Sequence, residues 1–397
     1  MERADVIVVG AGVMGCSVVY HLARERLRVL VLDKGDIGGG TSSACDGFVV
    51  SQSKSPGPYL DLAMKSAGML RSLHDELGAD VGYRQTGSLI VIRTASELDF
   101  MQARAAELAA QGVRLALLSR RGVQQAEPLL DGDLLGATVC AEDGTVDPMA
   151  LNLAFQRVAA RLGARFLPHT PVKSVLIRSG RVCGAETEAG VFEAPCVVLA
   201  TGVGLGSLVP DGGPPVIMKP LLGQLLVTEP LPPVLRHCCL DARYIVLKGG
   251  HGLHEDDGRD DNEAGEAGDD PVGVGFGLEQ TIHGNILIGN TREAPRPDRA
   301  TSRAAVQAIA RYAASFAPRL RGVHIIRTFA GLRPYTVDGL PLIGPVEEVP
   351  GLFLCGGHGS DGITLSPISG KLIAEMIITG ETPAECLPVL PGRLRRE

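Results

Sequence analysis

The chain has 397 residues, 45% of them apolar and 21% charged, which suits about two domains of ~100–200 residues and excludes disorder as a global description. Its 38 Lys and Arg against 45 Asp and Glu give a formal net charge of −7, which argues against nucleic acid as the main partner, because phosphate binding needs a surplus of basic side chains on one face. No apolar run approaches the ~20 residues needed to span a bilayer, and the amino terminus shows no basic segment, long apolar core or cleavage site, so a cytoplasmic enzyme is expected.

In chain order, residues 5–9 are a β-branched apolar run, the pattern of a strand buried on both faces. Gly10-Ala11-Gly12-Val13-Met14-Gly15 follows, then a helix-period segment to about residue 26 and a second strand, 28–33, closed by Asp33. This is the βαβ dinucleotide fingerprint in its required context. Gly10 permits the tight turn, Gly12 lets backbone approach a pyrophosphate, and Gly15 lets the helix pack against the sheet. The helix start offers N–H groups and partial positive charge to the phosphates. Asp33 is placed to accept from ribose hydroxyls, which disfavours a 2′-phosphate and leaves FAD and NAD open.

A glycine-rich turn with hydroxyls, Gly38 to Ser43, follows; taken alone it is either a cradle that brings Thr41, Ser42 and Ser43 against a ring or phosphate or a flexible loop. Helices are expected over 59–78 and 96–111, the second opened by Ser96 with Asp99 as a capping-box variant, and from Asp147-Pro148 to about residue 162. Strands are expected at 172–177, 181–187, 191–199, 223–229, 243–248, 285–291 and 323–329, with a helix capped near Thr301 and Ser302. Residues 197–202 end a strand at the small-residue turn Ala200-Thr201-Gly202. Residues 353–359 end another at Gly356-Gly357-His358-Gly359, ahead of an apolar helix expected from Ser366-Pro367 to about Thr379. Two glycine-rich cradles at opposite ends of the chain imply that the nucleotide domain is discontinuous. Nine scattered cysteines form no CxxC pair, which argues against zinc or an iron–sulfur cluster held by this chain alone and suits a reducing compartment; no metal site is expected.

These residues resemble the D-amino acid oxidase, glycine oxidase and sarcosine oxidase (DAO) family of FAD enzymes along nearly the whole chain. The likeness rests on the amino-terminal fingerprint, on Ala200-Thr201-Gly202, and above all on Gly331-Leu332-Arg333-Pro334 followed by Asp338-Gly339-Leu340-Pro341-Leu342-Ile343-Gly344. The resemblance implies an α/β fold: a Rossmann-like FAD-binding domain built from 1–80, 143–215 and 328–397, and a mostly antiparallel-sheet substrate domain built from 81–142 and 216–327. It implies that Arg333 and Tyr244, the latter on a strand, hold a substrate carboxylate; His358, in its glycine-rich loop, either faces the flavin or donates to backbone. It places cofactor contacts at Gly10, Gly12, Gly15, Asp33, Lys34, Thr41, Ser42, Ser43, Val172, Thr201, Gly202, Gly331, Arg333, Gly357, His358, Gly359, Gly362, Ile363 and Thr364. The guanidinium fork suits this role, since it matches a carboxylate bidentately.

The stretch 331–338 has no cysteine of the kind that attaches flavin in monomeric sarcosine oxidase, so non-covalent FAD is implied. The oxygen-activating lysine of that relative falls on Leu287. The expected activity is therefore oxidation of the C–N bond of a small amino or imino acid with a free carboxylate. The protein would act as the dehydrogenase subunit of a complex whose partner subunits carry flavin or iron–sulfur centres, with a second flavin, FMN, at a subunit interface as a further possibility. The alternatives are a self-sufficient oxidase, a non-catalytic flavin-binding scaffold and an NAD(P)-dependent dehydrogenase.

Residues 251–270 carry nine acids and one arginine, so the net charge of −7 belongs to one polar insertion and the remaining chain is near neutral. Such a segment predicts a mobile loop, solubilising or set against a site entrance or a basic partner.

Overall fold

Three runs of four apolar residues, Val6–Val9, Val29–Leu32 and Cys196–Leu199, are buried along their whole length and form the centre of a six-stranded sheet. The computed structural model describes residues 2–249, 273–296 and 299–395; the acidic insertion lies outside the described residues. The sheet order is Leu342–Pro345, Leu352–Gly356, Cys196–Leu199, Val6–Val9, Val29–Leu32, Arg165–Leu167. All neighbours are parallel except the first pair. One sheet thus draws on the beginning, middle and end of the chain.

Side-chain alternation assigns its two faces. Val6 and Val8 pack into a helical layer, whereas Ile7 and Val9 face a second apolar cluster with Val175, Val182 and Ala185. The helices are α1 (Val13–Arg24), α2 (Pro58–Leu77), α3 (Ala95–Ala110), α4 (Arg120–Ala126), α5 (Pro148–Arg161), α6 (Ala242–Gly249), α7 (Arg303–Phe316) and α8 (Gly362–Thr379). α1 packs against α5 and α8, and α2 against α8, over one face of the parallel sheet. The four-stranded sheet that includes Val172–Arg178 and Arg181–Thr187 covers the other.

An eight-stranded mixed sheet forms the second body. It begins with the long antiparallel pair Ile325–Thr336 and Met218–Pro230 and continues through Asn285–Gly289, Gly277–Gln280, Cys238–Asp241, Ser88–Ile92 and Gly136–Cys140 to Ala116–Ser119. α7 packs on it, with Phe316 stacked on Phe276 at 4.2 Å between ring centroids. Seven of the nine cysteines are buried, and all nine are free thiols.

Local signals set several boundaries. Asp147 caps α5 by accepting from the N–H groups of Met149 and Ala150, with Pro148 at the first helical position. Ser302 caps α7 through the N–H of Ala305. Elsewhere the structure corrects the sequence reading. The cap of α3 is Thr94 with Glu97, two residues before Ser96 and Asp99, because this pair closes a reciprocal capping box. The stretch 191–199 divides into Gly190–Glu193 and Cys196–Leu199, in different sheets.

α8 starts at Gly362 and contains Pro367. Proline cannot donate to the Ile363 carbonyl, and the Ser366 hydroxyl donates to it instead at 3.0 Å. Residues 243–248 are helical, not a strand. Cys238–Asp241 ends the sheet pairing, and the following turn packs on α3 with adjacent Tyr244 and Ile245 both buried. The β-branched character of Ile245 and Val246 yields to that packing.

Candidate active site

A cavity of about 850 Å³ runs between the two bodies, at the upper end of the ~300–1,000 Å³ usual for ligand sites. Its nucleotide end is set by backbone constraints. Gly10 has φ +107°, and a Cβ there would lie 2.4 Å from the Ala200 carbonyl oxygen; one on Gly15 would lie 1.9 Å from the Gly10 oxygen. Only glycine lets α1 start this close to the strand ending at Leu199. Gly12, the α1 N-cap, has no side chain to cap the helix, and no acid stands in the first turn, which leaves the positive end of the dipole for an anion. Asp33 bridges the turn and the following loop, accepting from the N–H of Ala11 at 2.6 Å and of Gly35 at 2.8 Å.

The loop after this turn ties both bodies together. Ser42 Oγ accepts from the Val13 N–H at 3.0 Å, and the Thr41 hydroxyl donates to the Leu332 carbonyl at 2.7 Å. A Cβ on Gly331 would meet the Ala44 carbonyl at 2.4 Å. The strand carrying Arg333 is thereby held against the nucleotide end.

Arg333 and Tyr244 line the same cavity. Arg333 Nη1 donates to the Thr291 carbonyl at 2.9 Å, and its guanidinium lies over Gly223 of the paired strand, where a Cβ would be only 2.4 Å away. Among the described residues no carboxylate forms an ion pair with it within 4 Å. The nearby Asp46, also in the wall, has its pKa raised by burial, with the Arg333 charge pulling the other way. The Arg292 guanidinium lies 5.9 Å from the Tyr244 ring centroid and 5.6 Å from that of Tyr335, and its Nη1 donates to the Tyr335 hydroxyl at 3.4 Å.

His358 belongs to the cavity lining, but its ring is turned to α8: Nε2 lies 2.9 Å from Ser369 Oγ. Burial pushes its pKa down to about 3, so the imidazole is neutral at physiological pH. Of the other sequence-expected contacts, Lys34, Val172, Thr201, Gly202, Gly357, Gly359, Gly362 and Ile363 line the cavity. Gly15, Ser43 and Thr364 do not. Gly15 serves helix packing, the Ser43 hydroxyl donates to the Gly40 carbonyl, and the Thr364 hydroxyl donates to the Phe48 carbonyl at 2.9 Å.

The sequence reading missed Lys54, Asp361, Tyr59, Asn290 and Arg292. Lys54 and Asp361 form a buried ion pair in the cavity wall, and the Tyr59 hydroxyl donates to Asp361 at 3.0 Å. A lysine next to the polar run Ser51-Gln52-Ser53, directly after an apolar strand, was the available signal.

The wall fits a bound dinucleotide such as FAD. The glycine turn would be filled by any Cβ, the α1 dipole is open, and Thr201 Oγ1 and Asn290 Oδ1 are buried without a hydrogen-bond partner. Gly10, Gly12, Asp33 and Thr201 would hold the nucleotide side.

Residues 5–376 match the sequence model of the DAO family, described as FAD dependent oxidoreductase. Glycine oxidase of Geobacillus kaustophilus (strain HTA426) is 29% identical over 397 residues, covering 98% of this chain and 96% of that protein. An opine oxidase subunit of Agrobacterium tumefaciens (strain Ach5) is 27% identical over 395 residues, covering 97% of this chain and 96% of that protein. The crystal structure of glycine oxidase from Geobacillus kaustophilus matches at a TM-score of 0.87 and 28% identity, over 100% of both chains. These matches bear out the resemblance and the fold class read from the sequence. Among the described residues no helix is long and apolar enough to cross a membrane.

Proposed function

Because the chain belongs to the DAO family of FAD-dependent oxidoreductases, we propose that it oxidises the C–N bond of an amino acid or N-substituted amino acid. The observation that carries this reading is the pair Arg333 and Tyr244 in the wall of the cavity that also holds the glycine cradle. Arg333, fixed by the Thr291 carbonyl and free of an acidic partner among the described residues, takes the substrate carboxylate in its guanidinium fork. Tyr244, 6% exposed, contributes its hydroxyl and walls off water. Held by this pair, the neutral amine presents its α-hydrogen to the cofactor.

Bound FAD supplies the acceptor, at N5, for the hydride leaving the α-carbon. The C–H bond breaks, the nitrogen lone pair closes a C=N bond, and a proton leaves the nitrogen to water. Hydrolysis of the imine then gives a carbonyl compound and an amine or ammonia. No acid–base residue is required at carbon, in keeping with a buried, neutral His358. The opine oxidase relative is one subunit of its enzyme, which supports a catalytic subunit working within a complex. The glycine oxidase relatives support the alternative of direct oxygen use.

The purified yellow protein should be bleached anaerobically by one of a panel of glycine, sarcosine, D-amino acids, proline, hydroxyproline and opines. Reoxidation by an artificial acceptor without oxygen uptake identifies the dehydrogenase; hydrogen peroxide formation identifies the oxidase. A flavin that no amine bleaches overturns the proposal.

A further inference from the structure

We infer that Arg292 is a second anion subsite, so that the substrate is an amine bearing two carboxylates, one on Arg333 and the other on Arg292; this rests on the amino-acid reading above. Both arginines are organised at one point of the chain. Arg333 donates to the carbonyl of Thr291, and Arg292 is the next residue. Arg333 and Tyr335 lie two residues apart on a regular strand, so their side chains leave the same face, about 7 Å apart at the backbone.

The Arg292 guanidinium sits between the rings of Tyr335 and Tyr244, the latter a wall residue of the cavity. It therefore lies against Tyr244, a side chain of the same cavity wall that carries Arg333.

What Arg292 lacks is an anion. Among the described residues no carboxylate lies within 4 Å of it. The acid next in sequence, Glu293, is engaged elsewhere: it accepts from the Thr291 hydroxyl at 2.5 Å and from Gln224 Nε2 at 2.6 Å, and it pairs with Arg296 at 3.6 Å. Arg292 is half-buried against two aromatic rings and keeps part of its surface reachable. Taking a guanidinium partly out of water is unfavourable, and ring faces compensate only in part. A ligand carboxylate completes the arrangement with charge-assisted hydrogen bonds. The second carboxylate can be carried by the nitrogen substituent or by the side chain of the amino acid; the chemistry at Arg292 is the same.

The test uses the holoenzyme and reads ligand-induced shifts or anaerobic bleaching of the flavin absorption band. Two ligand pairs differ only in the second carboxylate: iminodiacetate against sarcosine, and aspartate against alanine. One charge-assisted contact predicts at least a roughly tenfold tighter Kd for the dicarboxylate of one pair; which pair responds tells where the second carboxylate sits. In Arg292→Gln that preference should collapse toward one, and Arg292→Lys should retain part of it.

Equal affinities within both pairs for the wild-type protein overturn the inference without any variant. So does an undiminished preference in Arg292→Gln, or an equal loss for mono- and dicarboxylates, which would make Arg292 part of the primary site. If no amine or amino acid of a wider panel perturbs or bleaches the flavin, the amino-acid reading itself fails, a result distinct from binding without preference.

Discussion

Lys54 Nζ lies 2.8 Å from Asp361 Oδ1, and neither side chain is more than 8% exposed. The lysine also donates to the Val50 carbonyl at 2.8 Å and to Ser53 Oγ at 3.0 Å, while Tyr59 donates to the second Asp361 oxygen. Asp361 is the residue before α8, so this pair fastens the α8 start to a loop from the amino-terminal part of the chain. Removing one member strands a buried charge. Lys54→Met should therefore cost about 3–5 kcal/mol in denaturant unfolding of the holoprotein, and Lys54→Met with Asp361→Asn should cost clearly less than the sum of the single changes. Additive losses would show that the two groups are not coupled.

The same pair marks where sequence reading stops. The βαβ fingerprint was legible because its parts, from Val6 through Gly10 to Asp33, lie within one local unit whose turn and helix permit few alternatives. Arg333 was legible only because it sits in a distinctive run of residues. Lys54 and Asp361, like Tyr59 and Asp361 at 302 residues of separation, meet through tertiary folding alone, and neither has a local pattern that names its partner. Arg292 was hidden for a related reason: its surroundings are assembled from α6, the strand Ile325–Thr336 and the turn after Asn285–Gly289. Tyr244 shows the converse, with its place in the cavity anticipated and its secondary structure misread, because packing on α3 outweighed the β-branched neighbours.

The glycine turn gives a graded prediction. Gly10→Ala combines a positive φ with a 2.4 Å clash against the Ala200 carbonyl, and Gly15→Ala drives a methyl into the Gly10 carbonyl. A Cβ on Gly12 would meet nothing in the protein closer than Ser42 Oγ at 3.2 Å. Gly10→Ala and Gly15→Ala should both lower thermal stability and co-purifying flavin. Gly12→Ala should leave the fold intact and weaken cofactor binding alone, read as a raised Kd for FAD in apoprotein titration. Equal stability loss in all three variants would count against the distinction.

For the carboxylate clamp, Arg333→Gln removes one or two charge-assisted hydrogen bonds of ~1.5–3 kcal/mol each, which corresponds to a rise in KM of roughly 10- to 20,000-fold. Tyr244→Phe removes one hydrogen bond from a hydroxyl to the carboxylate, ~1.5–3 kcal/mol, and should raise KM roughly 10- to 100-fold. Flavin content should stay stoichiometric in both. Unchanged steady-state kinetics in Arg333→Gln would place the substrate carboxylate elsewhere.

Glu279 provides a pH signature of the interface between the two bodies. It is buried and accepts from the Gly47 N–H at 2.7 Å; burial, with the Asp46 charge adding to it, pushes its pKa up to about 8. Its ordinary value is 4.5, so between pH 4.5 and about 8 the folded protein holds a proton that the unfolded chain has released. The unfolded state then binds fewer protons, and stability falls as pH rises, by up to ~1.4 kcal/mol per pH unit from this one group. Glutamine preserves an oxygen for the Gly47 N–H and cannot ionise. Denaturant unfolding at constant ionic strength should therefore show the stability of Glu279→Gln relative to wild type growing steadily from pH 5 to pH 8 and levelling above. A difference that does not vary with pH would mean that Glu279 is already ionised in the folded protein across this range.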